Sequence, residues 1–148
     1  MKKPQIQTIT ICASASFFKK AIELEPELKK LGFKVELPPT ALKMKRSNDF
    51  NVRHYKTWFK NPDDYKKKGF LLREHFDKVI RSDAVLILNY EKHGIKGYIG
   101  GNTLIEMGFA FHYKKPIYIL NRISGLSYKE EILGFQPIFI DGDITKIV

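Results

Sequence analysis

The chain has 148 residues, 43% hydrophobic and 13% aromatic, with 26 Lys and Arg against 16 Asp and Glu, a formal net charge of +10 and one cysteine. That length suits a single domain, which buries roughly two-thirds of its unfolded surface, and the apolar content excludes a disordered chain. Cys12 has no partner within the chain, which excludes a disulfide framework and a zinc site built on cysteines.

No apolar run approaches the roughly 20 residues of a membrane-spanning helix. The start, Met1 through Gln5, leads into a strand-like segment rather than a signal-peptide core, so a soluble, unprocessed, cytoplasmic protein is expected. Residues 7–12 alternate and are β-branched, which predicts a first strand ending in the small-residue turn Ala13-Ser14-Ala15-Ser16. Phe17, Ala21, Leu24, Leu28 and Leu31 then recur at helical spacing, with Gly32 placed to stop the helix. Pro26 removes one backbone donor inside it and predicts a kink or a division. Residues 33–37 give a second strand, closed by Pro38-Pro39.

Residues 40–64 read as an irregular insertion or lid, carrying Lys43, Lys45, Arg46, Arg53, His54, Tyr55, Trp58 and Phe59 between turn signals. A helix is predicted over 65–81. Ala84-Val85-Leu86-Ile87-Leu88 is a continuous apolar run, the pattern of a central parallel strand covered on both faces. Residues 91–101 form a glycine-rich loop, and Asn102-Thr103 opens a helix running to about Tyr113. A fourth strand over 116–120, a short helix over 128–133 and a last strand over 137–140 complete the chain. This alternation predicts an α/β fold, a Rossmann-like or flavodoxin-like doubly wound parallel sheet of about five strands in a single domain.

Ligands of such sheets sit beyond the carboxyl ends of the strands, at the switch in strand order. The turn at 13–16, the loop at 89–102 and the insertion converge there. The loop glycines do not spell the dinucleotide fingerprint and no Gly-Lys-Ser or Gly-Lys-Thr phosphate loop is present, so neither a nicotinamide cofactor nor a nucleoside triphosphatase is expected. No cofactor is implied, and four histidines without paired spacing imply no metal. The excess of lysine is a solvated surface or, where it concentrates over 43–68, a face for a phosphate-bearing partner.

Individual residues carry two readings each. Ser14 and Ser16 suit an anion site at the first helix or an ordinary N-cap. Thr103-Leu104-Ile105-Glu106 fits a capping box, while Glu106 is also a carboxylate that the helix N-terminus can hold ionised to attack an electrophilic carbon. His75 and His93 are acid–base groups or surface histidines. Tyr98 and Asn102 can hydrogen-bond a sugar or base, and Asn102 can equally be a cap. Tyr55, Trp58 and Phe59 either stack on a base or anchor the insertion.

The run Ser82-Asp83-Ala84-Val85-Leu86-Ile87-Leu88, the glycine-rich loop, Glu106-Met107-Gly108-Phe109-Ala110 and Lys115-Pro116-Ile117 resemble the second half of the nucleoside 2-deoxyribosyltransferase-like proteins. The resemblance implies cleavage or exchange of the N-glycosidic bond of a deoxynucleoside or deoxynucleoside 5′-monophosphate. Glu106 takes the position of the nucleophile, Gly108 and Ala110 allow close helix packing, and Ala13, Ser14, Ser16, Tyr98, Gly100, Gly101 and Asn102 border the substrate. It implies a homodimer or higher homo-oligomer as well.

The family commonly has an acidic residue six positions before the glutamate and glycines four and two before it, where this chain has Gly100, Asn102 and Leu104. Asp77 is therefore a candidate second catalytic group, with Asp83 another or a structural residue at a strand start. Two further functions stand beside the enzyme: a catalytically inactive nucleotide-binding module of the same fold, and nucleic-acid binding through the basic, aromatic insertion.

Overall fold

The structure, a computed structural model, describes residues 5–148; Met1 to Pro4, which enter the signal-peptide argument, lie outside the described residues. Five parallel strands, β1 (Thr8–Ala13), β2 (Lys34–Glu36), β3 (Ala84–Leu88), β4 (Ile117–Ile119) and β5 (Ile138–Phe139), form one sheet in the order β2-β1-β3-β4-β5. This is the flavodoxin-like order, with its switch point between β1 and β3. The expected doubly wound α/β domain is what forms. The helices are α1 (Phe18–Lys30), α2 (Pro39–Ser47), α3 (Tyr65–Arg81), α4 (Gly101–His112) and α5 (Lys129–Gly134).

Period-two alternation divides the strands between two cores. Ala84, Leu86 and Leu88 of β3 pack with Phe18, Ala21 and Leu28 of α1 and Ala41 and Met44 of α2. Val85 and Ile87 pack on the opposite face with Val79 of α3, Met107 and Ala110 of α4 and Ile132 of α5. In β1, Ile11 and Ala13 join the first core and Cys12 the second, so the cysteine is directed at the layer formed by α3 and α4.

Several elements differ from the sequence expectation. Pro26 does not divide α1 into two elements: the helix runs unbroken from Phe18 to Lys30. Proline removes one N–H, but burial of Phe18, Ala21 and Leu28 holds both halves against the sheet. Gly32 does end this helix. Its φ is 98°, its N–H bonds the Lys29 carbonyl at 2.9 Å, and the Phe33 N–H bonds the Leu28 carbonyl at 3.3 Å, the paired bonds of a Schellman motif.

The insertion at 40–64 is not irregular throughout. Its first third is α2, with Pro39 in the opening turn and Ala41 and Met44 buried three residues apart. Lys45 of α2 reaches the buried Glu25 of α1 at 2.5 Å and ties the two helices together. Only the remainder is irregular, consisting of single 3-10 turns at Val52–His54, Thr57–Phe59 and Pro62–Asp64.

Asp83 proves structural. Its Oδ2 accepts the backbone N–H groups of Gln7 and Thr8, both at 2.9 Å, which fixes the start of β1 beside β3. These bonds hold its carboxyl below the usual aspartate range.

Candidate active site

A cavity of about 400 Å³ opens beyond the carboxyl ends of β1 and β3, at the switch point. The 13–15 turn, the loop after β3, the opening turn of α4, α3 and the 3-10 turns of the insertion all contribute to its wall.

The loop after β3 is more ordered than its glycine content suggests. Lys92 and Ile95 exchange backbone bonds of 3.1 and 2.9 Å around His93 and Gly94, which both have positive φ. This is a two-residue hairpin of the primed type. His93 is thereby a turn residue at an exposed tip, outside the cavity wall. The Tyr98 N–H bonds the Tyr90 carbonyl at 2.9 Å and closes the base of the hairpin.

Beneath it, Asn89 continues the β3–β4 ladder through its side chain. Its Oδ1 accepts the Asn121 N–H at 2.9 Å, and its Nδ2 donates to the Asn121 carbonyl at 2.7 Å. Gly97 lies where the loop crosses the chain after β4. Its φ is 70°, and a Cβ there would meet the Arg122 carbonyl oxygen at 2.2 Å, so only glycine fits.

The hairpin delivers Lys92 and Tyr98 to the cavity. The Lys92 ammonium lies 5.4 Å from the centre of the Tyr98 ring and donates to Ser14 Oγ at 3.1 Å. Lys56 from the insertion and Lys68 from α3 bring two further ammoniums, Lys68 lying 5.4 Å from the centre of the buried Trp58 ring. Burial holds Lys56 below the ordinary lysine range, and the charge of Lys92 adds to the effect. Burial does the same to Lys68, assisted by Lys56, while the Glu106 charge works the other way.

Glu106 stands on the floor. Helix α4 begins at Gly101 with Gly100 as its N-cap, so Glu106 is the sixth helical residue and too deep to serve as the third residue of a capping box. The capping explanation of this carboxylate therefore falls away. Glu106 is 6% exposed, and its Oε2 makes no hydrogen bond. His75 Nε2 lies 3.3 Å from that oxygen, and both ring nitrogens of His75 are likewise without hydrogen-bond partners.

His75 is thus buried on the α4 side of α3 rather than a surface histidine. Cys12 approaches from β1, such that one ligand atom each of Cys12, His75 and Glu106 lie within 4.8 Å of one another. Burial first, and the Glu106 carboxylate second, hold the Cys12 thiol well above its ordinary value.

Of the residues expected from the sequence, Ala13, Ser14, Tyr98, Gly100, Gly101, Asn102 and Glu106 line this one cavity. Ser16 does not; it is exposed on the 3-10 turn that precedes α1. Asp77 does not either. Two residues beyond His75, it is rotated about 200° around α3 and faces solvent. Tyr55, Trp58 and Phe59 all line the cavity, Phe59 at its edge with 71% exposure. A neighbouring groove of about 350 Å³ shares Tyr55, Trp58 and Leu71 as its wall and is flanked by Lys43, Lys66, Lys67 and Phe70.

Sequence reasoning missed the grouping of Lys56, Lys68 and Lys92, and it missed Cys12. The lysines carried one usable signal, the concentration of charge over 43–68; nothing local marked Cys12.

No protein-family model matches the chain, and no curated protein does. Two solved structures overlap it at low sequence identity. One is a 2-deoxyribosyltransferase of Bacillus psychrosaccharolyticus, 17% identical, aligned over 84% of this chain and 81% of its own with a TM-score of 0.49. The other is a CMP N-glycosidase of Clostridium botulinum, 16% identical, aligned over 90% of this chain and 88% of its own, also with a TM-score of 0.49.

Proposed function

We propose that the protein cleaves or exchanges the N-glycosidic bond of a deoxynucleoside 5′-monophosphate, with Glu106 as nucleophile. The observation that carries this reading is a buried carboxylate without a hydrogen bond at Oε2, set on the floor of a nucleotide-sized cavity that three lysines surround. A carboxylate beneath the sugar stabilises the oxocarbenium-like transition state and bonds the anomeric carbon as the base departs with the C–N electron pair. Attack by water on the same carbon then frees Glu106 and gives hydrolysis; attack by a second base gives transfer.

The remaining cavity residues supply positioning and charge. His75 Nε2, 3.3 Å from Oε2, is the group we assign to orient the carboxylate once a hydrogen bond aligns between them in the substrate complex. Lys92, held against Ser14, and Lys56 receive the 5′-phosphate, and Tyr98, Gly100, Gly101 and Asn102 border the sugar and base. Lys68 senses the charge of Glu106 and is made more acidic by its burial. It is the group we assign to protonate the departing base.

A second reading, a nucleotide-binding module without turnover, draws on one observation: Glu106 is the single acidic residue among those lining the cavity. Chromatography of free base released from a panel of deoxynucleosides and their 5′-monophosphates separates the two. Release by the wild-type protein and its loss in Glu106→Gln supports the enzyme. Thermal stabilisation by the same nucleotides with no release supports the module.

A further inference from the structure

We propose that Cys12, His75 and Glu106 form a binding site for a thiophilic divalent cation, zinc foremost, where His75 and Glu106 line the cavity and Cys12 lies buried next to them. Each ligand comes from a different rigid element, β1, α3 and α4, and all three side chains are buried, at 0%, 4% and 6% exposure. Their ligand atoms already lie within 4.8 Å of one another.

Apart from the contact between the Cys12 thiol and the Glu106 carboxylate, hydrogen bonds do not hold the group together. Both nitrogens of His75 and Oε2 of Glu106 make no hydrogen bond, although buried polar atoms are paired as a rule. The 3.3 Å between His75 Nε2 and Glu106 Oε2 matches the separation of about 3.3 Å between two ligands held at about 2.0 Å on a tetrahedral ion. The Cys12 sulfur lies within 4.8 Å of both partners, against the roughly 3.5 Å that separates a thiolate from a nitrogen or oxygen ligand on a tetrahedral ion. Thr103, one turn before Glu106 on α4, also lines the cavity and leaves a further buried hydroxyl oxygen without a partner.

The donor set decides the class of ion. Thiolate, imidazole and carboxylate together suit zinc, whereas magnesium and calcium take oxygen ligands throughout. Binding forms a metal–sulfur bond as the Cys12 S–H gives its proton to solvent, and no oxidation state changes. An ion there ties up the carboxylate and its positioning histidine, so zinc silences base release. That consequence rests on the reading of Glu106 as nucleophile; the binding itself does not.

The test is titration of the full-length, reduced protein with Co²⁺ after treatment with a chelator and desalting. The expected result is saturation at one equivalent, with visible d–d bands of tetrahedral cobalt and a near-ultraviolet sulfur-to-cobalt charge-transfer band, all lost on addition of zinc. Cys12→Ser should abolish the charge-transfer band, and His75→Gln, which keeps the thiol, should weaken binding at least about tenfold. The two variants remove different ligands, so if circular dichroism finds one unfolded the other remains decisive.

Absence of a tetrahedral spectrum in the wild type overturns the proposal. So does an unchanged spectrum and affinity in either folded variant. Zinc-inhibited base release that a chelator restores supports both the site and the nucleophile. A cobalt spectrum of the expected kind in a protein that, when freed of metal, releases no base upholds the metal site and refutes the nucleophile.

Discussion

Glu106→Gln should make the protein more stable while abolishing its chemistry, and the sign of the stability change is the informative part. The substitution conserves volume, so it opens no cavity, and it removes one formal charge that is 6% exposed. The one ring nitrogen near the carboxylate, at 3.3 Å, makes no hydrogen bond with it. Leaving a buried polar group unsatisfied costs about 1–3 kcal/mol, and more for a charge. Against this stands the Lys68 ammonium, a compensation of about 0.2–1 kcal/mol.

The net expectation is a gain of about 1 kcal/mol, or roughly 2–4 °C in Tm for a chain of this size. Base release should fall at least about 1,000-fold, equivalent to about 4 kcal/mol of barrier. Thermal unfolding by circular dichroism and base release are measured on the same preparation, after removal of metal. A lower Tm by several degrees with base release within tenfold of wild type refutes the reasoning, because the carboxylate is then a structural partner and not a held-back nucleophile.

Three more outcomes follow from other parts of the structure. Lys92→Met should weaken binding of a deoxynucleoside 5′-monophosphate about tenfold, the value of one charge-assisted bond, and leave the unphosphorylated nucleoside unaffected; calorimetry of the pair checks this. Gly97→Ala should cost at least about 2 kcal/mol in urea unfolding, through left-handed strain and the 2.2 Å approach to the Arg122 carbonyl, and should loosen the hairpin that carries Lys92. Cys12 titrates above its unfolded value, so the native state keeps its proton where the unfolded state loses it. The associated stability is full below about pH 8.5 and is lost as pH rises beyond it, so between pH 7.5 and 9.5, with a chelator present, wild type should lose about 1 kcal/mol more than Cys12→Ala.

The sheet was legible because each strand carried its own local signal. The apolar run of 84–88 and the alternation near 8–12 need no knowledge of the rest of the chain to be read as strands. The turn after β1 and the loop after β3 were placed correctly by the rule for parallel sheets. Glu106 was singled out for its apolar surroundings.

What sequence did not reveal was created by contact between distant segments. His75 looks like any helix histidine until α3 packs on α4, and residues 12, 75 and 106 have no spacing that could announce a cluster. Asp77 was chosen because a carboxylate was wanted, but helical rotation sends it the other way. The α2 helix escaped notice because Lys43, Lys45 and Arg46 surround its two buried residues, and the sign that they lie on a helix is the pairing of Lys45 with a buried glutamate 20 residues earlier.

The positive charge is best understood by where its counterions are missing. Lys29 and Lys45 pair with Glu25, Lys67 with Asp64, Lys78 with Glu36 and Arg122 with Asp141. Among the described residues, Lys56, Lys68 and Lys92 have no such partner within ion-pair distance, although they line one cavity and Lys56 and Lys68 are partly withdrawn from water. Ammoniums held near one another without an anion repel and lower the stability of the fold. Helix α3, the insertion and the β3–α4 hairpin converge from separate parts of the chain to keep them there. A dianionic phosphate relieves that repulsion on entering, so the arrangement favours a phosphorylated ligand over its neutral parent and makes the preference salt-sensitive. On the proposed reading of Glu106 as nucleophile, the same three charges would raise the local concentration of a phosphorylated substrate and hold its phosphate away from the reacting carboxylate.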